Sequence, residues 1–150
     1  MKKEFKGRPV IAGSAAGEAV VTKAGVNILA CMQRDLLAKK PVIRSSDQNN
    51  PELYGKQLTG KVLCLPKTIG STTGGMVLQK AIGADLAPKA LLFGESIDSL
   101  AAAGVILAEV WNEKVIITVD RLGDAFLRSV KDGDRIEVHA DGGVTVETAD

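Results

Sequence analysis

Between Lys61 and Val119 short apolar runs alternate with stretches of helical period, and this alternation restricts the fold more than any other feature. Lys61-Val62-Leu63-Cys64-Leu65 is an uninterrupted apolar strand closed by Pro66. Ser71 to Ile82 carries apolar residues at Val77, Leu78, Ala81 and Ile82 and stops at Gly83, as a helix does. Ala90 to Phe93 is a second buried-type strand, Ser96 to Ala103 a second helix ended by Gly104, and Val105 to Val110 and Val115 to Val119 further strands. Strands without polar alternation, separated by helices, are what a parallel sheet covered on both faces requires. The expectation is a parallel βαβαβ core.

The flanks read differently. Arg8 to Ala12 and Ala19 to Lys23 are short strands around Gly13 and Gly17. Arg135 to Ala140 and Val144 to Thr148 alternate and form a hairpin across Asp141-Gly142-Gly143. Val26 to Lys40 fits either a helix or a strand, Pro41 to Pro51 is a polar loop, and Asp124 to Val130 is a short helix. The expected architecture is α/β: one β/β/α domain over residues 1–150, with an antiparallel or barrel-like β layer added to the parallel core. A chain of 150 residues is long enough for one substantial core and too short for two.

Charge narrows the partners. Nineteen basic residues balance 18 acidic ones, and aromatics are 3%, so neither a polyanion surface nor a base-stacking platform is present. Nucleic acid is not an expected partner. No apolar h-region follows the basic Met1 to Gly7 segment and no run spans a bilayer, so the expectation is a cytoplasmic chain with no membrane partner. Cys31 and Cys64 sit in apolar runs and read as buried thiols. Two cysteines and the single His139, itself expected on an exposed strand face, do not supply a metal site, so no cofactor is expected on this chain alone. Gly55 to Lys61 imitates a P-loop, but Val62 stands where a magnesium-binding hydroxyl belongs and the segment leads into a strand.

The most informative segment is Thr68-Ile69-Gly70-Ser71-Thr72-Thr73-Gly74-Gly75, which follows a strand and opens a helix. That location is the carboxyl edge of a parallel sheet, where open α/β folds bind ligands. Unpaired amides at a helix start carry about half a positive charge, and the glycines let an anion approach them. A purely structural account competes, with Ser71 as N-cap and the glycines serving the turn. Two glycines in a first turn each cost about 1 kcal/mol relative to Ala, which favours a functional reading. Arg44, Ser45 and Ser46 lie in the polar loop and are candidate substrate-binding residues if that loop faces the substrate. There Arg44 is a candidate bidentate clamp for a carboxylate, and an ordinary solvated loop is the alternative.

Gly60 to Pro66 followed by Gly70-Ser71-Thr72-Thr73-Gly74 resembles the small, swivelling subunit or domain of the aconitase X family. Gly7-Arg8-Pro9-Val10, Ala87 to Phe93, Leu100 to Glu109 and Val130 to Ile136 follow in the family's order, so the resemblance covers roughly residues 7–146. It implies a swivelling β/β/α fold and a hydro-lyase divided between two pieces as a heterodimer. The larger piece carries an iron or iron–sulfur centre that polarises a leaving hydroxyl, and the small piece, inactive alone, closes over a small hydroxy-acid substrate. The proton acceptor falls on Ser71. Thr72, Thr73, Gly74 and Gly70 line the substrate pocket.

Archaeal members that dehydrate a phosphorylated mevalonate have an aromatic-glycine stretch where this chain has Arg44 to Asn50. They also tend to have a basic residue where it has Ile69. These departures turn the expectation toward cis-3-hydroxy-L-proline, with phosphomevalonate as the alternative. Two other classes remain. The phosphohistidine carrier domains share the swivelling fold and a Thr-Gly-Gly motif, but Val77-Leu78-Gln79 follow here where their histidine belongs. A non-catalytic interaction domain keeping only the fold is the third.

Overall fold

The computed structural model describes residues 1–70 and 73–148. In chain order the elements are β1 (Lys2–Lys6), β2 (Arg8–Ile11), β3 (Ala15–Val21), β4 (Val26–Asn27), α1 (Ile28–Leu37), β5 (Val62–Leu65), β6 (Thr68–Ile69) and α2 (Gly74–Gly83). They continue with β7 (Ala90–Phe93), α3 (Ser99–Asn112), β8 (Ile117–Asp120), α4 (Asp124–Ser129), β9 (Arg135–Val138) and β10 (Gly143–Glu147). Eight strands make one mixed sheet in the order β1-β10-β9-β3-β5-β7-β8-β2, and β4 and β6 pair separately.

Strands β3, β5, β7 and β8 are mutually parallel, which is the expected core with one strand more. All four residues of β5 and of β7 are buried, as their unbroken apolar runs require. Their side chains divide by parity. Leu63, Leu65, Leu91 and Phe93 face a core built with α1, α2 and α3. Val62, Cys64, Ala90 and Leu92 face a second core with Phe126, Val138, Val144 and Val146. The parallel sheet is thus the middle layer, with α1, α2 and α3 on one side and α4 and the β9–β10 hairpin on the other. Strand β3 joins the layers: Ala15 to Glu18 pair antiparallel with β9, and Ala19 to Val21 pair parallel with β5. No helix among the described residues is long and apolar enough to cross a membrane.

Several local expectations are corrected. Val105 to Val110 is not a strand but the second half of α3, which runs unbroken through Gly104. Gly104 was read as a helix stop, yet it is a packing residue. A Cβ there would stand 2.8 Å from the carbonyl oxygen of Gly75 and 3.1 Å from Leu78, and a Cβ on Gly75 would stand 2.6 Å from the carbonyl oxygen of Leu100. Facing glycines let α2 and α3 touch backbone to backbone. Helix α3 starts at Ser99 rather than Ser96, because the Asp98 carboxylate accepts the Ala101 N–H and sets the cap. Val26 to Lys40 resolves into both of its readings, a two-residue strand followed by α1. The N-terminal strand β1 had no sequence signal. It is stabilised by pairing with β10 and by the edge-to-face contact of Phe5 with Phe126, centroids 5.3 Å apart.

The Pro41–Pro51 loop is not simply solvated. Ser45, Asp47 and Asn50 are buried, and the Asp35 carboxylate accepts the Arg44 N–H at 2.9 Å. His139 is exposed, as its strand face required.

The glycine contact yields a prediction whose sign separates the two readings of Gly104. Ala gains about 1 kcal/mol of intrinsic helix propensity over Gly in an unconstrained helix. Gly104→Ala is nevertheless expected to lose about 1–3 kcal/mol, because the Gly75 backbone cannot retreat without moving α2. Urea unfolding of the two proteins measures it, and a raised midpoint would contradict the packing.

Candidate functional site

Gly70, Thr73, Gly74 and Gly75 lie beyond the carboxyl end of β5, and three helix starts gather there. The β4–β6 ribbon aligns Asn27 with Ile69, so α1 begins immediately beyond one strand and α2 a few residues beyond the other. Asn27 caps α1 by accepting the Ala30 N–H at 3.1 Å. Asp98 caps α3, and its other oxygen accepts the Thr68 N–H at 3.1 Å, which ties the start of α3 to the strand leading into Gly70. Each N-terminus contributes about half a positive charge through its unpaired amides. The caps of α1 and α3 are filled by side chains of the protein itself.

Gly70 has φ +97°, and a Cβ there would lie 2.5 Å from the Asn27 amide nitrogen. Conformation and space both require glycine. Thr73 is exposed at the N-cap position of α2. Gly74 and Gly75, the first two residues of α2, are buried, but for different reasons. Gly75 is demanded by α3. At Gly74 a Cβ would make only an ordinary 3.6 Å contact with Ile28, so packing does not demand glycine there. Ser71 and Thr72 lie outside the described residues.

The loop candidates go elsewhere. Ser45 is buried with its hydroxyl on Cys31 Sγ at 3.4 Å. Ser46 donates to the Ala30 carbonyl at 2.6 Å. Both hydroxyls brace the first turns of α1. Arg44 lines a different groove, with Glu18, Lys56, Lys61 and Asp132, beside the amino end of β5. The structure therefore brings together Gly70, Thr73 and Gly74, and separates Arg44 from them.

Three residues of this edge escaped the sequence reading. Asp98 and Asn27 each carried a usable signal, a capping residue just before an apolar helical run. Arg121 carried none. It follows β8 with φ +59°, uncommon for a residue other than glycine, and its Nε donates to Ser96 Oγ at 3.0 Å. Its neighbour Asp120 is fully buried. The Asp120 carboxylate accepts both arms of Arg8, at 2.9 and 2.6 Å, and the Ile97 N–H at 2.7 Å. Burial pushes its carboxyl up, but the Arg8 and Ile97 hydrogen bonds outweigh it and hold the pKa below the ordinary carboxylate value.

Both thiols are buried. Burial pushes Cys31 up to about 11, against an opposing hydrogen bond from Ser45, and pushes Cys64 higher still. Among the described residues no three His, Cys, Asp or Glu side chains gather in a metal-binding group.

The sequence model described as the aconitase X swivel domain matches residues 4–148. The chain belongs to the aconitase X swivel-domain family. The phosphomevalonate dehydratase small subunit of Archaeoglobus fulgidus is 31% identical to this swivel domain over 140 residues, 93% of this chain and 95% of that one. That of Aeropyrum pernix is 30% identical over 142 residues, 95% of this chain and 92% of that one. The holo-form crystal structure of Thermococcus kodakaraensis aconitase X matches the swivel domain with a TM-score of 0.80 at 28% identity, covering 96% of this chain and 98% of that one.

Two predictions follow from the edge geometry. Asp98→Ala removes the α3 cap and the tether to Thr68 and is expected to cost about 2 kcal/mol in denaturant unfolding. Asp98→Asn, which keeps one acceptor, is expected to lose less. Asp120 has a depressed folded pKa, so its contribution is fully present above the unfolded value of about 3.9 and is lost as pH falls through the folded value. Unfolding free energy is expected to drop below about pH 4 more steeply in the natural protein than in Asp120→Asn, which starts from a lower stability at neutral pH.

Proposed function

We propose that this chain is the small subunit of an aconitase X-type hydro-lyase that dehydrates a phosphorylated hydroxy acid of the phosphomevalonate kind. The observation that carries the reading is the match in length as well as sequence. The curated small subunits align over more than nine-tenths of their own chains and of this one. The expectation of cis-3-hydroxy-L-proline has no support among these relatives, whose names give the alternative substrate.

Dehydration removes a proton beside a carboxylate and expels hydroxide. Ser71, at the family's proton-acceptor position, is a poor base in water. At a helix start in a closed site, oriented amides stabilise its alkoxide. The α2 start supplies those amides. Thr73 lies exposed beside it and is suited to hydrogen-bond the substrate. Lys67 and Arg121, exposed at the same edge, are cations available to a phosphate. The iron or iron–sulfur centre implied by the family is assigned to a larger partner subunit, in keeping with the lack of a three-residue ligand group among the described residues here. One observation favours hydroxyproline. Ile69 is 49% exposed where a phosphate-binding member tends to be basic.

The test is to assemble the chain with the aconitase X large subunit of its own organism, under anaerobic conditions, and offer both substrates. Dehydration of phosphomevalonate and not of cis-3-hydroxy-L-proline is expected, and the opposite preference overturns the substrate assignment. Ser71→Ala is expected to lower kcat by about 10²–10⁴ with assembly intact, as loss of a general base does. A complex that keeps full activity without this hydroxyl would sink the catalytic role.

A further inference from the structure

Helix α3 is apolar on two faces. Ala101, Gly104, Val105 and Ala108 are buried against α2 and the sheet. A second stripe at helical spacing, Ile106, Leu107, Val110 and Trp111, faces solvent and continues into Val115. Trp111 is 74% exposed and Val110 66%. A helix that is hydrophobic all round is normally buried. These five side chains leave on the order of 500 Å² open, which is as large as the biggest patch on an ordinary monomer and more than half of one side of a standard interface. The caps and turns do not account for it, because no residue of this stripe contributes a polar contact to the fold.

We infer that this face of α3, an apolar stripe bordered by acidic residues, is the surface on which the larger subunit docks through an apolar stripe of its own flanked by basic residues. The inference rests on the small-subunit reading above and extends it. The choice of occupant follows from charge. Helix α3 contains no Lys or Arg, and exposed Glu109 and Glu113 border the stripe at the helix's negative end. Nearby Lys114 is already held by the Gly83 carbonyl at 2.8 Å and Asp85 at 2.9 Å. A second copy packed on this patch about a two-fold axis would set Glu109 and Glu113 against their equivalents. A different chain carrying Lys or Arg beside its own apolar stripe meets both the area and the charge.

Trp111 is the only tryptophan in the chain, which makes the face directly readable. The chain, made with fluorinated tryptophan, is titrated with the purified large subunit of its own organism and followed by fluorine NMR. The expected result is a shifted or broadened Trp111 resonance at saturation. In addition, Trp111→Glu should bind the large subunit roughly 30-fold more weakly or worse while keeping its circular dichroism and Tm, as loss of an aromatic anchor does. Binding with an unmoved resonance and an undiminished Trp111→Glu affinity overturns the inference and leaves the small-subunit reading standing. A free chain that sediments as a dimer, dissociated by Trp111→Glu, overturns it in favour of a second copy. Failure of the natural chain to bind the large subunit at all takes down the small-subunit reading and this inference with it.

Discussion

The approach of Gly75 to Gly104 fixes where the candidate site stands. Helices seldom pack backbone to backbone, and here a single methyl group on either glycine would land within 2.8 Å of the other helix's backbone oxygen. The contact sits in the first turn of α2, so it holds the helix start rather than its middle. Asp98 then fastens α3 to Thr68, and the β4–β6 ribbon fastens α1 beside them. The loop that carries the family's serine therefore hangs from a frame braced at both ends. Preorganisation of this sort gives oriented amides their value, since a dipole that must first be aligned repays part of what it contributes.

How much of this was legible in the sequence depends on how local each signal was. The parallel core was legible because β5 and β7 are buried on both faces and leave no polar residue in their runs. The glycine-rich helix start was legible because glycines are unfavourable there without a reason. Val105 to Val110 reads as a strand because a run that is apolar except at Glu109 looks alike in a buried strand and in a helix with two apolar faces. The outer face, Ile106, Leu107, Val110 and Trp111, lies exposed, so its apolar residues carry no helical signal of burial. Gly104 was misread as a stop for a related reason, since its cause lies 29 residues away at Gly75. Arg44 and its serines were placed by composition, and composition does not say that Ser45 and Ser46 are consumed in bracing α1. Strand β1 was invisible because its stability comes almost wholly from pairing with the far terminus.

The two halves of the glycine pair at the start of α2 also separate structure from chemistry. Gly75 is fully explained by packing and so lends no weight to a functional reading. Gly74 is not, because an alanine would meet only Ile28 at van der Waals distance. The cost of a glycine in that first turn is therefore not explained by packing at Gly74.

The same division runs through the polar groups of the chain. Among the described residues no buried side-chain nitrogen or oxygen lacks a hydrogen-bond partner, and the buried carboxylate of Asp120 is saturated by Arg8 and Ile97. The cysteines are held as protonated thiols by the same burial that makes them good core residues. What remains open is all on the outside: a positively polarised helix start at the sheet edge and an apolar stripe on α3. One suits a small anion and the other a protein surface. The two lie on elements that the Gly75–Gly104 contact locks together, so the helix start and the stripe are held in one fixed relation.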